Sequence, residues 1–479
     1  MSDAVIAFCR SVESEPWLWT LLIGGWLAYL LGLGVWIVLQ KREPAATLAW
    51  LISLAALPYV GFVIYYFFGP QRIRRQRLRR GRARARMPAL PDGTGDGEAM
   101  ELARLAQATT HLPPSSARDV RLLVDGAAKY DALLEAIAGA TTCIDVAYYI
   151  FEPDRTGTAV RDALVERLRA GVKVRLLLDA VGSAKATRRF FAPFTEAGGE
   201  LAWFHPMRLR WRRPWLNLRL HRKIVVIDDR IAFTGGINVT DEQDERRDPE
   251  AYHDLHLRLE GEVVALMKVV FMEDWVYATG QRASLPAACP PAASGLPGGI
   301  STQVLVSGPD SSWESIHRLH VAAIYAAKRR VWLATPYFVP GEAAMMALTS
   351  AALGGLDVRL LVPKLADSRL VTFATRSSFD ELLDAGVKVY EYGPRLLHTK
   401  ALLVDEDTAI IGSANFDHRS FRLNFEVSLL FRDAGVASEL ERILEDDLRH
   451  APRVRADRRR SFWRSRLPEA LARLLSPLL

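Results

Sequence analysis

LHRKIVVIDDRIAFTGGIN, residues 220–238, places two chargeable groups, His221 and Lys223, at the head of an Ile/Val run that reads as a buried strand. A strand end reaching solvent would account for one such pair. The chain, however, repeats the whole stretch: LHTKALLVDEDTAIIGSAN, residues 397–415, superposes on it without a gap. His221, Lys223, Asp228, Gly235, Gly236 and Asn238 fall on His398, Lys400, Asp405, Gly412, Ser413 and Asn415. A pattern kept twice at this spacing is read as a site.

The repeat extends upstream. AGVKVRLLLDAVGS from Ala170 matches GGLDVRLLVPKLADS from Gly354, and CIDVAYYIFEPD from Cys143 is similar to VWLATPYFVPGE from Val331. Apolar residues at helical spacing, 131–140 and 315–327, precede the last two. The reading is an α/β fold of two α/β/α halves, residues 119–285 and 301–452, related by a pseudo-twofold axis. Their sheets are expected to be mixed or parallel, with helices on the faces. A Pro/Ala/Gly-rich linker, 286–300, joins them.

Ahead of this body, residues 17–39 and 46–68 are 23-residue stretches without a charge, each long enough to cross a bilayer as a helix. The first is too long for a signal-peptide apolar region and lacks its basic start. Residues 1–70 therefore read as a transmembrane helical hairpin, and 71–118 as an Arg-rich juxtamembrane linker. Nine Arg and no acid in 72–86, against Asp3, Glu13, Glu15 and Arg10 before the first span, put both termini and the body on the cytoplasmic side. Lys41 and Arg42 in the connection point the other way but are outnumbered.

The chain carries +7 overall, with +9 in 72–86 and +6 in 453–466, so the remainder is acidic, at −8. Such a body is a poor partner for nucleic acid, whose affinity depends on neutralised phosphates. The basic segments suit an anionic membrane surface, at about 1 kcal/mol per Lys or Arg. The tail, 453–479, ends in LPEALARLLSPLL, which either lies on a membrane or packs on the body. Residues 203–220, with three Trp and five Arg, read either as an interfacial loop or as core Trp beside solvated Arg. Cys9, Cys143 and Cys289 have no ligand spacing, which fits a reducing compartment without disulfides. The histidines of HDLH, 253–256, and HRLH, 317–320, lack a third ligand, so no metal is expected.

Residues i and i+2 of a strand share a face, so His221 points with Lys223, and His398 with Lys400. Packed about a twofold axis, the two pairs converge. Two His, two Lys and the amides of Asn238 and Asn415 then surround a tetrahedral anion with preorganised donors. One imidazole attacks phosphorus while the other protonates the leaving oxygen. An oriented, neutral imidazole needs a carboxylate on its far nitrogen. Asp254 in AYHDLHLRL and Glu426 in RLNFEVSLL, each in a strand-like alternation after its Asn, are the candidates. Asp228 and Asp405 lie at odd offset from their histidines and read as structural, bonding the turns that follow.

The duplicated H-x-K-x4-D-x6-G-[GS]-x-N pattern resembles the phospholipase D superfamily over about 120–450. That resemblance implies a catalytic set of His221, Lys223, Asp228, His398, Lys400 and Asp405, with Asn238, Ser413 and Asn415 on the substrate phosphate. It implies a phosphohistidine intermediate without metal or other cofactor, His221 as nucleophile and His398 as general acid and base. The segment 41–70, TPYFVP at 335–340, NLRLHRK at 217–223 and GSANFDHRSFRLNFE at 412–426 are similar to bacterial cardiolipin synthases. This implies phosphatidylglycerol as substrate, glycerol and cardiolipin as products, and a place in the bacterial cytoplasmic membrane. Thr240 and Gln243 stand where that family more often has Gly and Tyr, which bears on acceptor preference. Two rivals use the same motifs: a phosphatidyltransferase acting on phosphatidylethanolamine or making phosphatidylserine, and a membrane-anchored nuclease. A non-enzymatic scaffold would need no intact His–Lys pairs. The sequence leaves the oligomeric state open.

Overall fold

Strands covered on both faces need apolar residues at consecutive positions. Ile224–Ile227 and Ala401–Val404 meet that condition, with every residue buried. In the computed structural model, which describes residues 16–39, 47–48, 51–52, 54, 98–205, 218–281, 299–311, 313–458 and 460–476, they are central strands of two sheets. The first runs Asp119–Val124, Leu255–Glu260, Ile231–Gly235, Ile224–Ile227, Cys143–Tyr148, Lys173–Asp179 and Glu200–Phe204 across the sheet. The second repeats this order with Ile300–Ser307, Glu426–Arg432, Thr408–Gly412, Ala401–Val404, Arg330–Ala334, Asp357–Pro363 and Lys388–Tyr392. Both are mixed: the last three strands of each are parallel and the others antiparallel.

Helix Val263–Thr279 is apolar almost all round and joins one core with residues of both sheets, as a helix between two apolar faces must. Ala434–Arg449 contributes Val436, Leu440 and Leu444 to the same core. The outer faces are covered separately, by helices Asp125–Ala138 and Arg155–Arg169 on the first sheet and Ser315–Ala326 and Glu342–Leu353 on the second.

Three expectations change. His221 and Lys223, like His398 and Lys400, lie in the extended segment just ahead of the Ile/Val strand, not within it. The upstream match is also displaced by one residue. Ile144 pairs with Ile227 and Val331 with Val404, so Val331 corresponds to Ile144 and not to Cys143. A nearly continuous apolar run leaves register open, because shifting it exposes nothing polar. Finally, residues 98–118 are not linker. Helix Glu98–Thr110 buries Leu102 and Ala106 in the second half, and Ser115–Ala117 pairs with Ile300–Thr302 as an extra strand on the second sheet.

The tail packs on the body. Ala472 of helix Leu467–Leu474 lies against Val339, Phe373 and Ala374, and Arg460 pairs with Asp380 and with Glu469. Phe462, Trp463, Leu471 and Leu474 remain exposed.

The N-terminal residues form a separate unit. Helix Pro16–Val38 holds a span, Trp19–Ile37, of 19 residues and mean hydropathy 1.8, long and apolar enough to cross a membrane. Ile37, Leu30 and Leu33 pack with Leu51 and Leu54. The rest of the expected second span, the arginine run 72–86, residues 206–217 of the Trp/Arg loop and linker residues 286–298 lie outside the described residues.

Candidate active site

Each histidine motif is set in register by the other half. Leu220, just before His221, bridges Phe425, just before Glu426; Leu397, just before His398, bridges His253, just before Asp254. The amide of His221 donates to the Phe425 carbonyl at 3.0 Å and that of His398 to the His253 carbonyl at 2.7 Å. Side chains follow this exchange. His221 Nδ1 meets Glu426 at 2.9 Å, and His398 Nδ1 meets Asp254 Oδ2 at 2.5 Å. Each imidazole is thus held by a carboxylate from the opposite half, which leaves its Nε2 as the reactive nitrogen.

The lysines complete the set. Lys223 Nζ donates to the His221 carbonyl at 2.8 Å; Lys400 Nζ reaches the His398 carbonyl and lies 3.5 Å from Asp254 Oδ2. All six groups are buried. Burial, reinforced by Lys400, pushes His398 down to about 4, and burial likewise lowers His221, so both imidazoles are neutral near pH 7. Burial lowers Lys223 to about 7 and Lys400 to about 8 against the pull of Glu426 and Asp254. Burial alone would raise the two carboxyls. Lys400 and His398 hold Asp254 below its usual value, and His221 and Lys223 do the same for Glu426.

The asparagines differ. Asn238 Oδ1 accepts from the Ile150 amide at 3.2 Å, while its carbonyl takes Lys129 Nζ at 3.1 Å and the Tyr130 hydroxyl at 2.8 Å. Its amide N–H donates to Gln243 Oε1, so one departure from the family pattern supports a motif residue directly. Asn415 Oδ1 is buried with no hydrogen-bond partner among the described residues.

Two sequence-based assignments are corrected. Ser413 is not turned to a substrate: its Oγ donates to Glu426 at 2.5 Å and accepts from the Val427 amide at 3.0 Å. The Gly/Ser difference between the motif copies follows, because the shorter Asp254 lies where a side chain at Gly236 would collide with it. Asp228 and Asp405 are structural, but they bond the turn before the neighbouring strand and not the turn that follows. Asp228 accepts from the amides of Thr141, Thr142 and Cys143, and Asp405 from those of Lys328, Arg329 and Arg330. Both sit at φ 51°, a left-handed conformation that Asp tolerates in a tight hairpin. Neither belongs to the His–Lys–carboxylate set.

Two buried charge clusters escaped the sequence reading. Arg222, between the motif His and Lys, points to the opposite side and pairs with Asp274 at 2.6 Å, while its other nitrogens reach the Glu426 and Ser307 carbonyls. The signal was Asp274 beside Glu273 in a helix whose remaining residues are mostly apolar. We expect Asp274→Ala to destabilise the fold by about 3–5 kcal/mol, because it leaves a buried guanidinium without its counter-charge. A thermal melt checks this: an unchanged midpoint would count against it. His253 is the second. Asp125 at 2.8 Å and Asp447 at 2.7 Å grip its two nitrogens and Arg395 joins Asp125, so that, although burial opposes it, the imidazolium persists up to about 10. Its backbone carries the His398 bond, so this ion cluster braces the second histidine.

Known proteins share this architecture. The family model for the cardiolipin synthase, phospholipase D-like domain matches residues 133–275 and 321–448, and one for a phospholipase D-nuclease N-terminal region matches 28–70. Cardiolipin synthase 2 of Bacillus anthracis is 39% identical over 461 residues, covering 93% of this chain and 89% of that protein. Cardiolipin synthase of Geobacillus kaustophilus is 38% identical, covering 92% and 91%. Phosphatidylserine synthase of Haemophilus influenzae shares the fold, with a TM-score of 0.62 at 14% identity over 79% of this chain and 100% of that one. With a family model matching both halves and 38–39% identity over more than nine-tenths of its length, the chain belongs to the cardiolipin synthase family of phospholipase D-like enzymes.

Proposed function

We propose that this enzyme transfers the phosphatidyl group of one phosphatidylglycerol to another, releasing glycerol and forming cardiolipin. The observation that carries this reading is the reciprocal grip of each histidine by the other half's carboxylate, beside two lysines, in one buried set. His221 Nε2 attacks phosphorus and the bond to the glycerol oxygen breaks, His398 giving that oxygen its proton. The hydroxyl of the second lipid then passes its proton to His398 and attacks phosphorus, and the P–N bond to His221 breaks. His398 starts neutral, and the negative charge of an arriving phosphodiester raises its pKa towards the protonated form that the first step needs. Lys223, Lys400, Asn238 and Asn415 are donors to the nonbridging oxygens, and Asp254 and Glu426 orient the imidazoles. Lysine charge makes a metal unnecessary, so EDTA is expected to leave turnover unchanged.

The halves, 119–285 and 301–452, are read as related by a pseudo-twofold axis, which the matching strand orders support. Residues 1–70 are read as a transmembrane hairpin of a multi-pass protein in the bacterial cytoplasmic membrane, with the body cytoplasmic. The apolar helix and its packing on Leu51 and Leu54 support the hairpin, and the arginine run supports the orientation. An anionic membrane surface is the partner of the basic tail, whose Phe462 and Trp463 stand exposed among arginines.

Purified protein in mixed micelles, given phosphatidylglycerol alone, is expected to yield cardiolipin and free glycerol in a one-to-one ratio. Added glycerol is expected to drive the reaction back, since one phosphodiester replaces another. A requirement for a nucleotide-activated lipid would refute the mechanism. Turnover only with phosphatidylethanolamine, or cleavage of DNA without lipid product, would favour a rival.

A further inference from the structure

Helix Asp125–Ala138 turns a lysine inward on the face where a helix covering a sheet carries apolar side chains. Lys129 is fully buried. Its Nζ lies 3.9 Å from the centre of the Tyr130 ring and 4.9 Å from that of Tyr148, and it donates to the Asn238 carbonyl at 3.1 Å. Burial pushes its ammonium well below the usual value. Asp244, the acid that favours its charge, is itself held by Arg246 at 2.9 Å. The fold does not demand this lysine. Ile144 and Val331 hold matching places in the two sheets, and equally far upstream of them stand Lys129 and Ile316. Ile316 is fully buried in the core of the second half, so an apolar side chain fills the same place in the same architecture.

What Lys129 touches is the backbone of a motif residue, and that residue is held on all sides. The Asn238 carbonyl also takes the Tyr130 hydroxyl at 2.8 Å, its backbone N–H donates to Gln243 Oε1, and its Oδ1 accepts from the Ile150 amide at 3.2 Å. Four bonds thus fix where the side-chain amide N–H of Asn238 points, and no described residue accepts from it. Asn415 lacks this frame. Its backbone N–H donates to Ser420 at 3.2 Å, its Oδ1 has no hydrogen-bond partner among the described residues, and an isoleucine in the place of Lys129 offers its carbonyl no donor.

We propose that Lys129 is a positioning residue: with Tyr130 it clamps the Asn238 backbone so that the free side-chain amide N–H is aimed in advance at a nonbridging oxygen of the phosphodiester. The inference rests on the phosphatidyl-transfer reading, in which Asn238 is a phosphate donor. A buried amine is unfavourable for the fold, whereas a donor fixed before the substrate arrives stabilises the charge that develops in the transition state. Replacing Lys129 by an apolar residue of similar length leaves the Asn238 carbonyl bonded to Tyr130, so no polar group is orphaned.

The test is a double-mutant cycle on the full-length protein, read as cardiolipin formation in phosphatidylglycerol micelles and as first-turnover release of nitrophenolate from a phosphatidyl ester of p-nitrophenol, which needs no lipid acceptor. Lys129→Met is expected to lower kcat about tenfold or more with little change in KM, while the thermal midpoint stays the same or rises. In an Asn238→Ala background the same substitution is expected to lower neither rate further, because the side chain that it aims is gone. Unchanged kcat in Lys129→Met would overturn the clamp, and so would a loss that persists undiminished beside Asn238→Ala, the mark of a structural role. If Lys129→Met does not fold, Tyr130→Phe, which removes only the hydroxyl, decides in the same way: a loss that vanishes beside Asn238→Ala supports the clamp and one that persists refutes it. Wild-type protein that releases nitrophenolate but forms no cardiolipin would refute the phosphatidylglycerol acceptor and leave the clamp to be judged by the second readout.

Discussion

His221→Ala and His398→Ala are each expected to lower turnover by about 10⁴-fold or more, about 5 kcal/mol of transition-state stabilisation. Neither loss is expected to come from unfolding, because the imidazoles are the least deeply buried members of the set, 9% and 7% exposed against 4% or less for the lysines and carboxylates. The two variants differ in how they fail. A lipid carrying p-nitrophenol in place of glycerol has a leaving group that departs without a proton, so it spares the general acid. His398→Ala is expected to release about one equivalent of nitrophenolate per site and then stall, because the phosphatidyl-enzyme forms but its acceptor hydroxyl is not deprotonated. His221→Ala is expected to release none. The reverse pattern would exchange the roles of the two histidines. A burst from both would show that nitrophenolate release does not need the covalent step.

Asp254→Asn and Glu426→Gln are expected to cost on the order of 10²–10³-fold each, since the amide keeps a hydrogen bond to Nδ1 but loses the charge that stabilises imidazolium. The profile of kcat/KM against pH distinguishes this from a packing defect. In the parent enzyme the alkaline limb reflects loss of the ammonium form of Lys223, near 7, and Lys400, near 8. Asp254 lies 3.5 Å from Lys400 Nζ and raises its pKa. Removing the negative charge lowers the lysine further, so the alkaline limb is expected to move to lower pH in Asp254→Asn. The acid limb reports protonation of the nucleophile His221, which Glu426 and not Asp254 holds, so it is expected to stay in place. An unshifted profile with reduced rate would make Asp254 a packing residue. Glu426→Gln acts first on Lys223, because Glu426 is the carboxylate that most opposes the lowering of that lysine.

How much of this was legible in the chain differs from residue to residue. His221, Lys223, His398 and Lys400 could be picked out because a duplicated motif is local: both copies keep the same spacing, and spacing survives without coordinates. The matched carboxylates Asp254 and Glu426 were visible for the same reason. The Gly236/Ser413 pair was visible as a difference but not as an explanation, since the collision and the hydrogen bond that account for it involve residues 13 and more positions away. Arg222 was lost among 62 basic residues, because a charge gains meaning only from what faces it.

The sequence by itself determined the α/β class, the twofold repetition, the apolar N-terminal helix and the types of residue at the site. Each of these is written in periodicity or composition, which a linear chain carries. Only the tertiary structure decided the partnership between halves. Leu220 against Phe425 and Leu397 against His253 are single bridges spanning about half the body, and they send Glu426 to His221 and Asp254 to His398. Sequence order would as readily pair each histidine with the carboxylate of its own half. What excludes that choice is packing: both sheets share a core with helices Val263–Thr279 and Ala434–Arg449, and burying that common apolar surface brings the end of each histidine segment against the start of the other half's carboxylate strand.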